Sequence, residues 1–154
     1  MKYSIDTSAI LDGWVRYYPP DVFPHVWEKL DRMIGRGELV ATEVVLAELE
    51  KKHDEVYKWA RERKDMFVAI DLRIQAAVKK ILRRHKKLID ERKAGPGADP
   101  FVIALAQVEG YAVVTGEKPS GSPEKRPRIP DVCKALGIRY LNMLELFREQ
   151  GWTF

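Results

Sequence analysis

The sequence predicts an α/β fold, a mainly parallel sheet with helices on both faces. Three observations carry this. Short apolar runs alternate with longer segments of helical period. Polar residues or turn residues follow each short run. One helical segment, Phe101–Ala106, is apolar nearly all round, as suits a helix buried against a sheet. The 154 residues suffice for a single domain over 1–154 that buries its own core.

The elements follow in chain order. Lys2–Ile5 reads as a strand ending at Asp6-Thr7-Ser8. Tyr17-Tyr18-Pro19-Pro20 breaks the chain. Phe23, Trp27, Leu30 and Ile34 then mark a helix closed by Gly35 and Gly37. Leu39–Ala41 is a short strand, and Thr42 is placed to cap a helix that turns Val44, Val45 and Leu49 inward. Val56–Lys64 reads as a helix with Trp59 on its apolar side. A longer one follows Asp65, with its stripe at Phe67, Ile70, Ile74, Ala77, Ile81 and Leu88. Lys93–Gly97 is a loop, and Asp99-Pro100 opens the apolar helix with the signature of an N-cap. Tyr111–Thr115 is a strand and Gly116–Pro130 a loop rich in Gly, Pro, Ser and Lys. Asp131 stands where it would cap a short helix; Ile138–Leu141 is a last strand and Met143–Glu149 a last helix.

Composition excludes several classes. Apolar residues make up 45% and charged residues 32%, which fits a folded domain rather than a disordered tail. No apolar run nears the roughly 20 residues of a membrane span. The opening MKYSID turns polar at once, so no signal peptide is expected and a cytoplasmic setting is. One cysteine, Cys133, allows neither an internal disulfide nor a thiolate zinc site, and His25, His53 and His85 lack ligand spacing. The 27 Lys and Arg against 23 Asp and Glu leave a mild positive charge. Its distribution matters more: Lys79–Lys87 (KKILRRHKK) and Lys118–Arg128 (KPSGSPEKRPR) are basic runs that suit a polyanion, or simply solvated surfaces.

In parallel sheets, ligands bind beyond the carboxyl ends of the strands. A crevice there would gather Asp6, Glu117 and the start of the Asp99 helix. Glu48 projects between Val44 and Val45, on the apolar side of its helix, where a carboxylate wants a partner. Each acid alone has a plain alternative: turn residue, helix cap, or partner of Lys52. Together they repel one another, and Mg²⁺ or Mn²⁺ removes that repulsion, because hard cations take carboxylate oxygens. Carboxylate-held magnesium is a standard means of phosphodiester hydrolysis.

YSIDTSAIL (Tyr3–Leu11), EVVLAELEKK (Glu43–Lys52), GADPFVIALA (Gly97–Ala106) and YAVVTGE (Tyr111–Glu117) resemble, in order and spacing, the PIN domain. That nuclease fold occurs in VapC-type toxins and RNA-processing enzymes. The resemblance spans nearly the whole chain and implies a three-layer α/β/α sandwich. It implies metal-binding roles for Asp6, Glu48 and Asp99, and an orienting hydroxyl at Ser8. The fourth acid departs from the pattern: Thr115-Gly116-Glu117 stands where the family usually shows Thr-x-Asp, and Asp131 is the alternative. Implied too are Mg²⁺ or Mn²⁺ as cofactor, ribonuclease activity on single-stranded RNA, and, by family habit, an antitoxin protein and a homodimer as partners. Arg16, Lys118, Lys125, Arg126 and Arg128 are the candidate RNA contacts; Tyr17 and Tyr18 read first as ordinary structural residues, with stacking on RNA near the site as the alternative. A catalytically weak RNA- or protein-binding PIN module is the second hypothesis. A phosphatase built on an aspartate after the first strand would need another aspartate two residues on, where Ser8 stands.

Overall fold

A computed structural model describes residues 1–88, 97–121 and 126–154. Five parallel strands run β1 (Tyr3–Ile5), β2 (Leu39–Thr42), β3 (Phe67–Val68), β4 (Ala112–Val114) and β5 (Tyr140–Leu141), in the spatial order β3-β2-β1-β4-β5. Among the described residues, the α-helices are α1 (Thr7–Asp12), α2 (Pro24–Gly35), α3 (Glu43–Lys52), α4 (Asp54–Arg61), α5 (Leu72–Arg84), α6 (Asp99–Glu109), α7 (Ile129–Leu136) and α8 (Met143–Gln150). The chain winds outward from β1 to β3 and then crosses back to β4. With right-handed crossovers, this puts helices on both faces. The β1 side chains mark those faces. Ser4 donates its hydroxyl to the Val102 carbonyl of α6 at 3.0 Å, and Tyr3 donates to Glu149 of α8 at 2.6 Å.

The strands are short and buried on both faces, so period-2 alternation is absent; β1, β2 and β4 have no exposed residue. α6 is the central helix. Val102, Ile103, Ala104, Leu105 and Ala106 are all buried, and its alanines let β1, β2 and β4 approach. α5 packs on it through Ile74, Val78 and Ile81. Across the sheet, Trp14, Trp27 and Trp59 meet with centroids 5.0 to 6.0 Å apart. The Arg63 guanidinium covers Trp59 at 4.6 Å and pairs with Asp31. The tryptophans are therefore packing residues. Among the described residues, no helix is long and apolar enough to cross a membrane.

Several expectations are corrected. Phe67 and Ile70 do not belong to a helix. Phe67 and Val68 pair with Ala41 and Thr42 as β3, and α5 starts only at Leu72, where the Asp71 carboxylate accepts from the Ile74 N–H at 2.8 Å. Local periodicity yields to sheet pairing there. Thr42 occupies the N-cap of α3 without a side-chain capping bond. Asp99 is not a cap, since Ala98 holds that position and Asp99 is the first helical residue. Asp131 lies one turn inside α7 rather than at its cap. The predicted helix over Val56–Lys64 starts earlier, at Asp54, and closes at Arg61.

Burial sets the expected cost of truncation. Ile103→Ala, at a fully buried position of α6, should lower unfolding stability by about 2–5 kcal/mol. Leu72→Ala, at a residue 81% exposed, should change it by less than about 0.5 kcal/mol. Urea denaturation of both variants checks the packing.

Candidate active site

The sheet changes winding direction between β1 and β4, and the acids gather at their carboxyl ends. Asp6 leaves β1 while its N–H still donates to the Val114 carbonyl at 2.8 Å. Its side chain is 1% exposed. The Thr115 hydroxyl donates to Oδ2 at 2.9 Å, and the Ser8 hydroxyl donates to the same oxygen. Backbone amides then set these hydroxyls: Gly116 N–H donates to Ser8 Oγ at 3.0 Å and Glu117 N–H to Thr115 Oγ1 at 3.1 Å. The DTS and TGE segments thus lock together across the β1–β4 seam.

Glu48 enters from α3. The Thr7 hydroxyl donates to Oε1 at 2.6 Å and the Ala98 N–H to Oε2 at 3.1 Å. This one carboxylate joins the starts of α1 and α6. Gly97 permits the approach in two ways. Its φ is +68°, and a β-carbon there would lie 3.0 Å from Glu48 Oε2. Asp99 follows, mostly buried, with Oδ2 4.0 Å from an Arg126 guanidinium nitrogen. Arg126 also donates to the Leu88 carbonyl at 2.8 Å, next to the end of the basic α5 segment.

Electrostatics follow the geometry. Burial pushes the Asp6 carboxyl up; the Ser8 hydrogen bond opposes it, and the charges of Glu117 and Glu48 add to it, for a pKa of about 6. Asp99 is pushed up to about 7, first by burial, then by Asp6, Glu117 and Glu48, with Arg126 opposing. The Cys133 thiol, buried behind the site, is pushed up to about 12, chiefly by burial, and is inert at neutral pH.

The two contenders for fourth acid separate. Asp131 accepts from Ser120 N–H and, at 2.8 Å, from Arg128 N–H. Although burial raises it, those backbone donors hold it below the usual carboxylate range. It organises the start of α7. Glu117 is the acid whose charge reaches Asp6 and Asp99. Its Oε2 meanwhile accepts from Ile129 N–H at 2.8 Å. Among the described residues, no three Asp, Glu, His or Cys side chains already stand as a metal cage. Glu48 and Glu117 oxygens are engaged by the chain's own donors. The donor set nonetheless suits a hard divalent cation: carboxylates and hydroxyls only, two of the acids buried with raised pKa.

Lys118, Arg128 and Arg16 are exposed, and Arg126 reaches Asp99. Lys125 lies outside the described residues. Thr7, the Ala98 amide and Asp12 escaped the sequence reading. Their contacts join distant segments, and only the position of Thr7 inside DTS offered a local signal.

Raised carboxyl pKa values fix the sign of a pH effect. Between about pH 4 and 7 the folded state holds protons that the unfolded state has released, so the metal-free protein should lose stability as pH rises. Asp6 alone, with its pKa roughly two pH units above the usual value, corresponds to about 3 kcal/mol. Urea unfolding across that range should show the decline, and Asp6→Asn should flatten it.

Solved structures match this architecture, VapBC2 and FitAcB among them. Against the crystal structure of VapBC2 from Rickettsia felis, bound to a DNA fragment from their promoter, the TM-score is 0.56 at 11% identity, over 92% of this chain and 98% of that one. Against FitAcB from Neisseria gonorrhoeae the TM-score is 0.54 at 16% identity, over 91% of this chain and 96% of that one. At such identities the likeness establishes the fold, a PIN-like three-layer α/β/α sandwich. No curated protein sequence matches the chain. Its sequence matches one family model over residues 3–154, and the chain belongs to that family, DUF4411, a domain of unknown function.

Proposed function

We propose that this protein is a divalent-metal-dependent endoribonuclease acting on single-stranded RNA, the nuclease of a toxin–antitoxin pair working in the cytoplasm. The observation that carries this is the pair of carboxylates, Asp6 buried and Asp99 mostly buried, each raised first by burial and then by other acids of the crevice. Such a cluster is out of place in a purely structural core and in place at a cation site. The shared fold with VapBC2 and FitAcB supports the toxin–antitoxin setting, and with it a protein antitoxin as partner.

Asp6 and Asp99 would hold the Mg²⁺ or Mn²⁺, with Glu117 and Glu48 completing the negative field. When bound, the cation supplies Lewis-acid activation of water and of the scissile phosphate. The chain's own residues do the rest. Ser8 and Thr115 fix the rotamer of Asp6 through Oδ2. Glu48 ties the start of α6, and so Asp99, to the start of α1. Arg126 brings positive charge to the crevice, where it meets a phosphate; Lys118, Arg128, Arg16 and Lys125 hold the flanking backbone. Cysteine nucleophile chemistry has no support here: burial keeps the Cys133 thiol protonated.

A second reading has its own support. Glu117 stands where PIN domains usually show aspartate, and its Oε2 is tied to Ile129, which favours a weak or inactive module that binds RNA or protein.

Manganese-dependent cleavage of a labelled single-stranded RNA separates the two. Asp6→Asn and Asp99→Asn should each reduce the rate by about 100-fold or more, since each removes a charge worth several kcal/mol to the transition state. Full activity in either variant would remove the assignment, and RNA binding without any wild-type cleavage would favour the binding module.

A further inference from the structure

Beside the acids lies a second cleft, reached past Gly116. Its walls come from three distant segments: Tyr17 and Tyr18, the loop after β4 with Lys118, and the start of α8 with Met143. A hydrogen-bond relay links its edge to the crevice. The Gly116 N–H that edges the cleft donates to Ser8, which in turn donates to Asp6. Glycine permits the close packing at this edge, because a β-carbon at 116 would lie 2.5 Å from Asp12 Oδ2 and 3.2 Å from the Ser8 carbonyl.

The walls are built rather than incidental. Gly13–Tyr17 forms a π-turn, closed by Tyr18 N–H donating to the Gly13 carbonyl at 2.8 Å. Such insertions often mark functional positions. Tyr18 is fixed: its carbonyl accepts from the Trp27 indole at 2.7 Å, and its ring packs edge-on to Phe147 at 5.0 Å. Tyr17, by contrast, stays 61% exposed. Folding gains little from that ring, so its aromatic face is available.

We propose that this cleft receives one unstacked nucleobase of the RNA strand whose phosphodiester lies at the acid crevice. Tyr17 supplies the stacking face, and Lys118 neutralises a neighbouring phosphate. Asp12, an acceptor when ionised, meets an N–H on the edge of the base. The mixture argues for a nucleotide: an exposed ring, a thioether, a lysine ammonium and the Asp12 carboxylate on a single cleft whose Gly116 edge is hydrogen-bonded through Ser8 to Asp6. The proposal rests on the ribonuclease reading and adds to it a position at which the enzyme senses a base.

An abasic walk tests it. A single abasic residue is moved along a short single-stranded RNA, and binding to the Asp6→Asn protein is read by fluorescence anisotropy. One position should weaken binding about tenfold, in line with the loss of one stacked base. That penalty should vanish in Asp6→Asn/Tyr17→Ala and persist in Asp6→Asn/Tyr17→Phe, which keeps the ring. A flat profile on an RNA that the wild-type protein cleaves overturns the subsite and leaves the nuclease intact. So does a tenfold penalty that survives Tyr17→Ala. An RNA neither bound nor cleaved by wild-type protein overturns the ribonuclease reading and the subsite together.

Discussion

The Asp6 carboxylate is buried where two parallel strands separate, and the surrounding structure is organised by the cost of holding it there. An ionised acid in that position loses water that only hydrogen bonds or a counter-charge can replace. The chain supplies two hydroxyls, from Ser8 and Thr115, and both fall on one oxygen. It then sets further acids nearby rather than cations, so burial and the charges of Glu117 and Glu48 push both Asp6 and Asp99 upward, and Asp6 adds to the effect on Asp99. Arg126, 4.0 Å from Asp99, offsets only part of this. A fold selected for stability alone would replace such a group with an apolar one.

The topology explains why the acids meet. β1 is central, flanked by β2 and β4, and the crossover from β3 back to β4 opens a crevice at the strand ends. Asp6 comes from the end of β1, Glu117 from the loop after β4 and Asp99 from the first position of α6. Glu48 is the clamp, bonded to Thr7 on one side and Ala98 on the other. On the same side of the crevice, the π-turn carries Tyr17 out to solvent while the tryptophan cluster anchors its base.

Strand ends and buried helices are legible in this sequence because both leave local marks. Ile5 followed by Asp-Thr-Ser, and Asp-Pro followed by a wholly apolar run, are physical signals that need no structure. β3 is not legible. Phe67, Ile70 and Ile74 continue a helical period, and only pairing with Ala41 and Thr42 pulls Phe67 and Val68 into the sheet. Asp131 and Glu117 cannot be told apart in sequence either, since both follow β4 in the same loop and helix start. Backbone donors from Ser120 and Arg128 claim Asp131, and those bonds depend on how the loop closes. Thr7 and the Ala98 amide are invisible for a related reason: their partner, Glu48, is 41 and 50 residues away.

If the acids are held for a cation, the protons they retain near neutral pH must leave when it binds. Isothermal titration of Mn²⁺ into the protein, repeated at one pH in buffers of different ionisation enthalpy, counts those protons. At about pH 6, where Asp6 is half protonated and Asp99 mostly protonated, release of roughly one to one and a half protons per bound ion is expected. The number should fall toward zero by about pH 8.5, where both acids are already ionised. Binding with no proton release at pH 6, or heat unaffected by Asp6→Asn, would contradict the account.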